Sequence, residues 1–331
     1  MRDVIFLKDE SGFEAALKKE LPKRFKAGEK IAVKLHFGEP GNVTALRPEF
    51  VKRVVDALKA IGARPFLFDS PVSYPGPRNT VKDYEKAVID MGFGEDKVGC
   101  QSVISDSVIM VKGKGLTYGV CKTLADADGV LVLTHVKGHF CSGFGGAIKN
   151  LGMGALSKAT KQEIHDGGKP EYISGCTLCG ACEKSCPLDN IRYDEGRPYF
   201  DKTWCCGCSD CVYACQFGAL KARSGYGFDY LLSEGAGSAL KNFKKAYFIN
   251  EVRRITKDCD CFGKVQKPIT DDVGILLSED IVAIDKAAMD LINKQAGEDF
   301  FLKVHKKSPI VHIKEAEKLG MGGTEYRLTE L

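Results

Sequence analysis

The sequence predicts an α/β fold, a mostly parallel sheet that hosts an inserted cysteine-rich module. Three observations lead there. Strand and helix signals alternate through the first 170 residues, the same texture resumes after residue 222, and nine of the 14 cysteines crowd between 176 and 215. The implied boundaries are 1–171 for the first part of the host domain, 172–222 for the module and 223–331 for the second part of the host.

Taken in order, residues 3–8 read as a short strand. Residues 12–25 read as an amphipathic helix with Phe13, Leu17 and Leu21 on one face. Residues 30–37 are β-branched and apolar, which suits a strand. Residues 47–61 form a strong helix, with Phe50, Val54, Val55, Leu58 and Ile61 at helical spacing and Gly62 as its stop. A strand at 64–69, a helix at 80–91 and strands at 107–111 and 129–134 follow. Residues 137–154 are glycine-rich. A helix over 155–165 runs into Asp166-Gly167-Gly168-Lys169-Pro170, a breaker cluster and boundary. Beyond the module the sequence predicts helices at 238–254, 280–294 and 309–319 and strands at 273–277 and 324–328. A separate carboxy-terminal domain is the alternative reading of this last part.

Composition narrows the function classes. Apolar residues make up 44% and charged residues 28% of 331, ordinary for a globular chain with real cores. Forty-eight Lys and Arg against 44 Asp and Glu leave a net charge of +4 with no basic block, so a nucleic-acid binder is not expected. The apolar run at the amino terminus is short and closed by charge, and no stretch reaches 18 apolar residues. The expectation is a cytoplasmic protein without a membrane span. Cytosolic thiols stay reduced, so clustered cysteines point to metal rather than to disulfides.

Cys176, Cys179, Cys182 and Cys186 are spaced x2, x2, x3, with Pro187 next, and Cys205, Cys208, Cys211 and Cys215 repeat the spacing. A zinc ribbon is the competing reading, and two complete four-cysteine runs weigh against it. Three thiolates on a short loop can grip one face of an iron–sulfur cube, whose fourth iron needs a distant ligand. Over roughly 50 residues the segment resembles the bacterial two-cluster ferredoxin. That resemblance implies two [4Fe-4S] clusters in which the fourth cysteine of each run serves the other cluster. Cys215 would join Cys176, Cys179 and Cys182, and Cys186 would join Cys205, Cys208 and Cys211. The alternation over 191–201 around Asp194-Glu195-Gly196 is a hairpin signal. Gln216 stands where the ferredoxin pattern has proline, and Cys206 lies outside the ligand spacing.

In a doubly wound sheet, ligands bind at the carboxyl ends of the strands. Lys34 and His36 end one predicted strand, Asp69 another, and His135, Lys137 and His139 follow a third. Each histidine alone is an ordinary surface or packing residue; together at strand ends they are candidate catalytic groups. The run Gly143 to Gly154 is a candidate anion loop, in which Gly145, Gly146, Lys149 and Asn150 would hold a small anionic ligand. It lacks the spacing of a P-loop or dinucleotide fingerprint, and tight packing against the module is the bland alternative. Cys259-Asp260-Cys261 is a candidate third metal site, a redox-active dithiol or a buried pair. Cys100, Cys121 and Cys141 have no spacing partner.

The segments Val33 to Glu39, His135 to His139 and Gly145 to Gly154 resemble an uncharacterised iron–sulfur-cluster-binding family, domain of unknown function 362 with a ferredoxin insert. The resemblance implies an α/β host, two clusters and redox metabolism, and leaves the substrate open. The expected function is an iron–sulfur redox protein that passes electrons to or from a ligand in the host domain, served by a redox partner protein. An electron-carrier or accessory subunit that docks an enzyme is one alternative. A metal- or cluster-delivery protein is another.

Overall fold

A computed structural model describes residues 2–331. The fold is mixed α/β around an eight-stranded sheet. Its order is Tyr326–Glu330, Arg2–Leu7, Gly274–Ser278, Ala246–Val252, Gly129–His135, Lys30–Lys34, Arg64–Asp69 and Ser102–Ile104. Gly274–Ser278 runs antiparallel to both its neighbours, and every other adjacent pair is parallel. Strands buried on both faces need continuous apolar sequence, and Gly129–His135 is buried at every position.

Helices cover both faces. Phe13–Arg24, Pro48–Ala60 and Val81–Asp90 enclose a core that includes Phe50, Val54, Tyr84 and Leu133. Ala147–Gly154, Phe228–Leu240 and Ile281–Ala296 enclose a second, with Ile148, Leu232, Ile284 and Val132. Both flanks of the cysteine-rich segment contribute strands to the one sheet.

Topology fixes where a site can form. From Lys30–Lys34 the chain steps outward through Arg64–Asp69 to Ser102–Ile104. It then returns to Gly129–His135 on the other side of Lys30–Lys34 and steps away in the opposite sense. The strand order therefore reverses between Lys30–Lys34 and Gly129–His135, which opens a crevice beyond their carboxyl ends.

Several expected elements are corrected. The helix expected at 238–254 is instead the end of helix Phe228–Leu240 and the strand Ala246–Val252. The strand expected at 107–111 lies outside the large sheet, as Val108–Lys112 paired antiparallel with Thr117–Cys121. The glycine-rich run is not an open loop. Gly143–Gly145 pairs with Lys137–His139, and Ala147–Gly154 is helical, followed by a second helix, Lys158–Gly168.

Pro170–Tyr172 pairs antiparallel with Leu220–Ala222, which brings the two ends of the cysteine-rich segment together. Between them, Ile191–Asp194 and Arg197–Phe200 form a hairpin. Lys307 anchors this segment: its Nζ lies 2.8 Å from Asp210, 2.8 Å from Asp229 and 3.0 Å from the Cys208 carbonyl. No helix among the described residues is long and apolar enough to cross a membrane.

Candidate functional site

A cavity of about 470 Å³ occupies the crevice. Lys34, His36, Asp69, Lys137 and His139 reach it from the strand ends. Gly145, Gly146, Lys149 and Asn150 reach it from the hairpin and helix beyond, and Cys259 and Cys261 from a turn. His135 does not line it. The ring is buried behind the wall, with Nδ1 3.0 Å from Asp260 and Nε2 2.8 Å from the Arg253 carbonyl. His135 ends the strand Gly129–His135, whereas Lys137 and His139 lie in the hairpin strand beyond it, so the period-two spacing does not carry all three to one face.

The lining is strongly cationic. Lys34, Lys137, Lys149, Lys161, Lys169 and Arg78 contribute to it, and Asp69 is the one carboxylate among the described lining residues. Asp69 lies 3.2 Å from Lys34 Nζ and accepts the Tyr84 hydroxyl at 2.6 Å. Burial pushes Lys34 down despite that pairing. Burial also works to raise Asp69, yet the ammonium groups of Lys34 and Lys161 hold it below the usual carboxylate range. One carboxylate between two ammonium groups leaves a cation in excess, so both shifts run downward. Lys161 itself is pushed down to about 8, chiefly by burial. It donates to Ser70 Oγ at 2.8 Å and to the Pro71 carbonyl at 2.7 Å.

The backbone amides expected to cradle an anion are already used. Ala147 and Ile148, in the first turn of their helix, donate to the buried Asp285 carboxylate at 2.7 and 2.9 Å. Asn150 is likewise engaged: it accepts from Lys34 at 2.6 Å and donates to Thr134 Oγ1 at 2.9 Å. Lys149 remains directed into the site, 3.8 Å from Cys259 Sγ. Burial would lower its pKa, but the sulfurs of Cys259 and Cys261 raise it.

The Cys-Asp-Cys turn explains its own sequence. Asp260 is fully buried, 3.0 Å from both His135 and Lys137, and pins the turn to the strand end. Phe262 N–H closes the turn on the Cys259 carbonyl at 3.1 Å. The flanking sulfurs lie 2.9 Å apart, and Cys261 Sγ is 3.4 Å from His36 Nε2. His36 Nδ1 accepts from Gly38 N–H at 3.0 Å, and Arg78 Nη1 lies 3.1 Å from Nε2. His139 Nδ1 accepts from Cys141 N–H at 3.2 Å. Burial, with cationic neighbours adding to it, holds both histidines below the ordinary imidazole value.

The cysteine-rich segment holds two smaller cavities. One is lined by Cys176, Cys179, Cys182 and Cys215, the other by Cys186, Cys205, Cys208 and Cys211. Each gathers three cysteines of one run and the last of the other. Four thiols around a space walled by Ile191 and Phe200, or by Tyr193 and Phe217, are a donor set that fits an iron–sulfur cube. Cys205 and Cys206 belong to the wall of the second cavity and also to the wall of the 470 Å³ cavity. His165 contacts that shared wall, Nδ1 to the Cys206 carbonyl at 2.7 Å.

Sequence reasoning missed Arg78, Lys161, Asp260 and His165. Lys161 shares a helix face with Ile164, a signal that it is buried. Asp260 stands between two noted cysteines. Arg78 follows Pro75-Gly76-Pro77 in a loop whose path no periodicity predicts.

Among known proteins, an Escherichia coli K12 protein named for electron transport, YsaA, is 40% identical over 51 residues, 15% of this chain and 32% of its own length. The uncharacterized ferredoxin MJ0155 of Methanocaldococcus jannaschii is 34% identical over 65 residues, 18% of this chain and 43% of its own. The chain thus spans less than half the length of these curated relatives. Among solved structures, a structural-genomics target from Thermotoga maritima overlaps 87% of this chain and 59% of its own at 10% identity and a TM-score of 0.49. At that score the overlap carries no conclusion. The model of a family described as a domain of unknown function, DUF362, matches residues 31–290, and the chain belongs to that family.

Proposed function

We propose that this protein is an iron–sulfur redox protein that binds two [4Fe-4S] clusters and passes electrons to or from a small anionic ligand in the crevice cavity. One observation carries the reading: Cys205 and Cys206 form a wall common to the second cysteine cavity and the cationic cavity. Bound clusters supply one-electron transfer, as the names of the ferredoxin-type relatives also suggest.

The chain's own residues supply the rest. A cavity lined by six cationic side chains and one carboxylate attracts and orients an anion. With Nδ1 engaged as an acceptor, neutral His139 carries its N–H on Nε2 and can donate a hydrogen bond to a bound ligand. A concave cationic cavity supports this reading over an accessory subunit, which would present a flat apolar patch at the strand ends. Cluster delivery would need an exposed thiol pair, whereas Cys259 is buried.

Anaerobically prepared protein is expected to contain about eight iron and eight sulfide per chain. On reduction, saturating acetate or phosphate should shift the electron paramagnetic resonance signal, and Lys149→Met should weaken that response about tenfold. Cys186→Ala should damage the cluster held with Cys205, Cys208 and Cys211. Zinc in place of iron, or a spectrum blind to every small anion tried, would overturn the reading.

A further inference from the structure

The cavity wall holds a pair of thiols that cluster ligation does not use. We propose that Cys259 and Cys261 form a thiol–disulfide exchange site acting on a small anionic disulfide. The turn closed by Phe262 and pinned by Asp260 brings the two sulfurs to 2.9 Å, and both line the cationic cavity. Gly38 N–H holds His36 Nδ1 as an acceptor, and His36 Nε2 faces both the Arg78 guanidinium at 3.1 Å and Cys261 Sγ at 3.4 Å. A metal bound by His36, Cys259 and Cys261 would instead need the Nε2 lone pair and a proton on Nδ1, where a backbone N–H already points. The same geometry solvates a thiolate. The Cys261 thiol is pulled well below its ordinary value, first by the Cys259 thiol and then, against burial, by His36 and Lys149, while the Cys259 thiol is pushed up. Cys261 is the attacking sulfur and Cys259 the resolving one.

The Cys261 thiolate attacks one sulfur of the substrate disulfide, whose S–S bond breaks, and a mixed disulfide forms on Cys261 as one substrate thiolate leaves. Cys259 gives its proton to that leaving thiolate and attacks Cys261 Sγ, expelling the second. One thiol, one thiolate and one disulfide become a Cys259–Cys261 disulfide, one substrate thiol and one substrate thiolate. Two electrons and one proton pass to the substrate. Regeneration takes two electrons and one proton, the electrons from two equivalents of a one-electron carrier, and there the inference rests on the redox reading above.

The test uses anaerobic, cluster-loaded protein and the dianionic probe 5,5′-dithiobis(2-nitrobenzoate), followed by peptide mass analysis. Wild-type protein is expected to release two thionitrobenzoates per probe consumed and to form a disulfide within the peptide that holds 259–261. Cys259→Ser should release one and retain the adduct on Cys261, and Cys261→Ser should react at least about tenfold more slowly. An adduct on Cys259 rather than Cys261, equal rates for the two variants, or a thiophilic metal bound one-to-one at the pair would overturn the proposal. Iron and sulfide are counted on the same samples. Exchange without clusters would sink the two-cluster reading alone, and clusters without exchange would sink this inference alone.

Discussion

Asp69 is the residue on which the cavity's charge balance turns. It is buried to 3% exposure and faces Lys34 and Lys161, two ammonium groups held as deep as itself. Asp69→Asn would leave both cations uncompensated, with an expected loss of about 3–5 kcal/mol in denaturant unfolding of the host. The pH dependence has a definite sign. Because the folded carboxyl sits below its unfolded value, its contribution is present above that value, roughly pH 4, and is lost as pH falls through the lower folded value. On the acid side the gap between wild type and Asp69→Asn should therefore narrow only below about pH 4. A gap that narrows as pH falls from 8 to 5 would show that Asp69 is not the compensating charge. Lys161 gives a complementary test: its ammonium is lost as pH rises past about 8. Anion binding should weaken there, and Lys161→Met should remove that dependence.

At the scale of elements, the cavity floor depends on how closely two helices approach. Ala147–Gly154 packs on Phe228–Leu240, and a methyl group added at Gly152 would run into the Leu232 carbonyl oxygen. Gly152→Ala should force the helices apart and destabilise the host by about 1–3 kcal/mol, read as a lower thermal midpoint. An unchanged midpoint would show that the contact relaxes freely. The same helices show what sequence could and could not reveal. Lys30–Lys34, Arg64–Asp69 and Gly129–His135 were legible because continuous apolar runs between charged ends have one good use, a strand buried on both faces. Residues 238–254 were not: small residues and an aromatic, β-branched run adjoin, and a helical period can be laid over both. The tertiary partner decides, since Ala246–Val252 fits between two strands already in the sheet. Most of the candidate site was legible because strand ends could be placed within one to three residues. Arg78 and the use of the helix amides by Asp285 were not, because both depend on long-range contacts that leave no local pattern.

For the whole molecule, the distribution of apolar residues separates two kinds of stability. The host buries two extensive clusters, one on each face of its sheet. The segment between the paired strands 170–172 and 220–222 buries Ile191 and Leu220 together with Cys182 and Cys211, so half of its small core is cysteine. Such a segment cannot offset the entropy of ordering its backbone by hydrophobic burial alone. Its folding free energy must come largely from what the cysteines bind, as in small metal-dependent domains. Anaerobic removal of iron with a chelator should therefore release residues 173–219 to rapid amide exchange. Exchange of Gly129–His135 and Ala246–Val252 should stay slow, and most of the circular dichroism should remain. The shared anchors set the limit of this independence. Lys307 ties the Cys208 carbonyl and Asp210 to Asp229 at the start of Phe228–Leu240, so that helix should loosen at its first turn and no further. If chelation instead unfolds the sheet, the clusters are structural centres of one cooperative unit. The cavity would then owe its shape to them as much as to the strands.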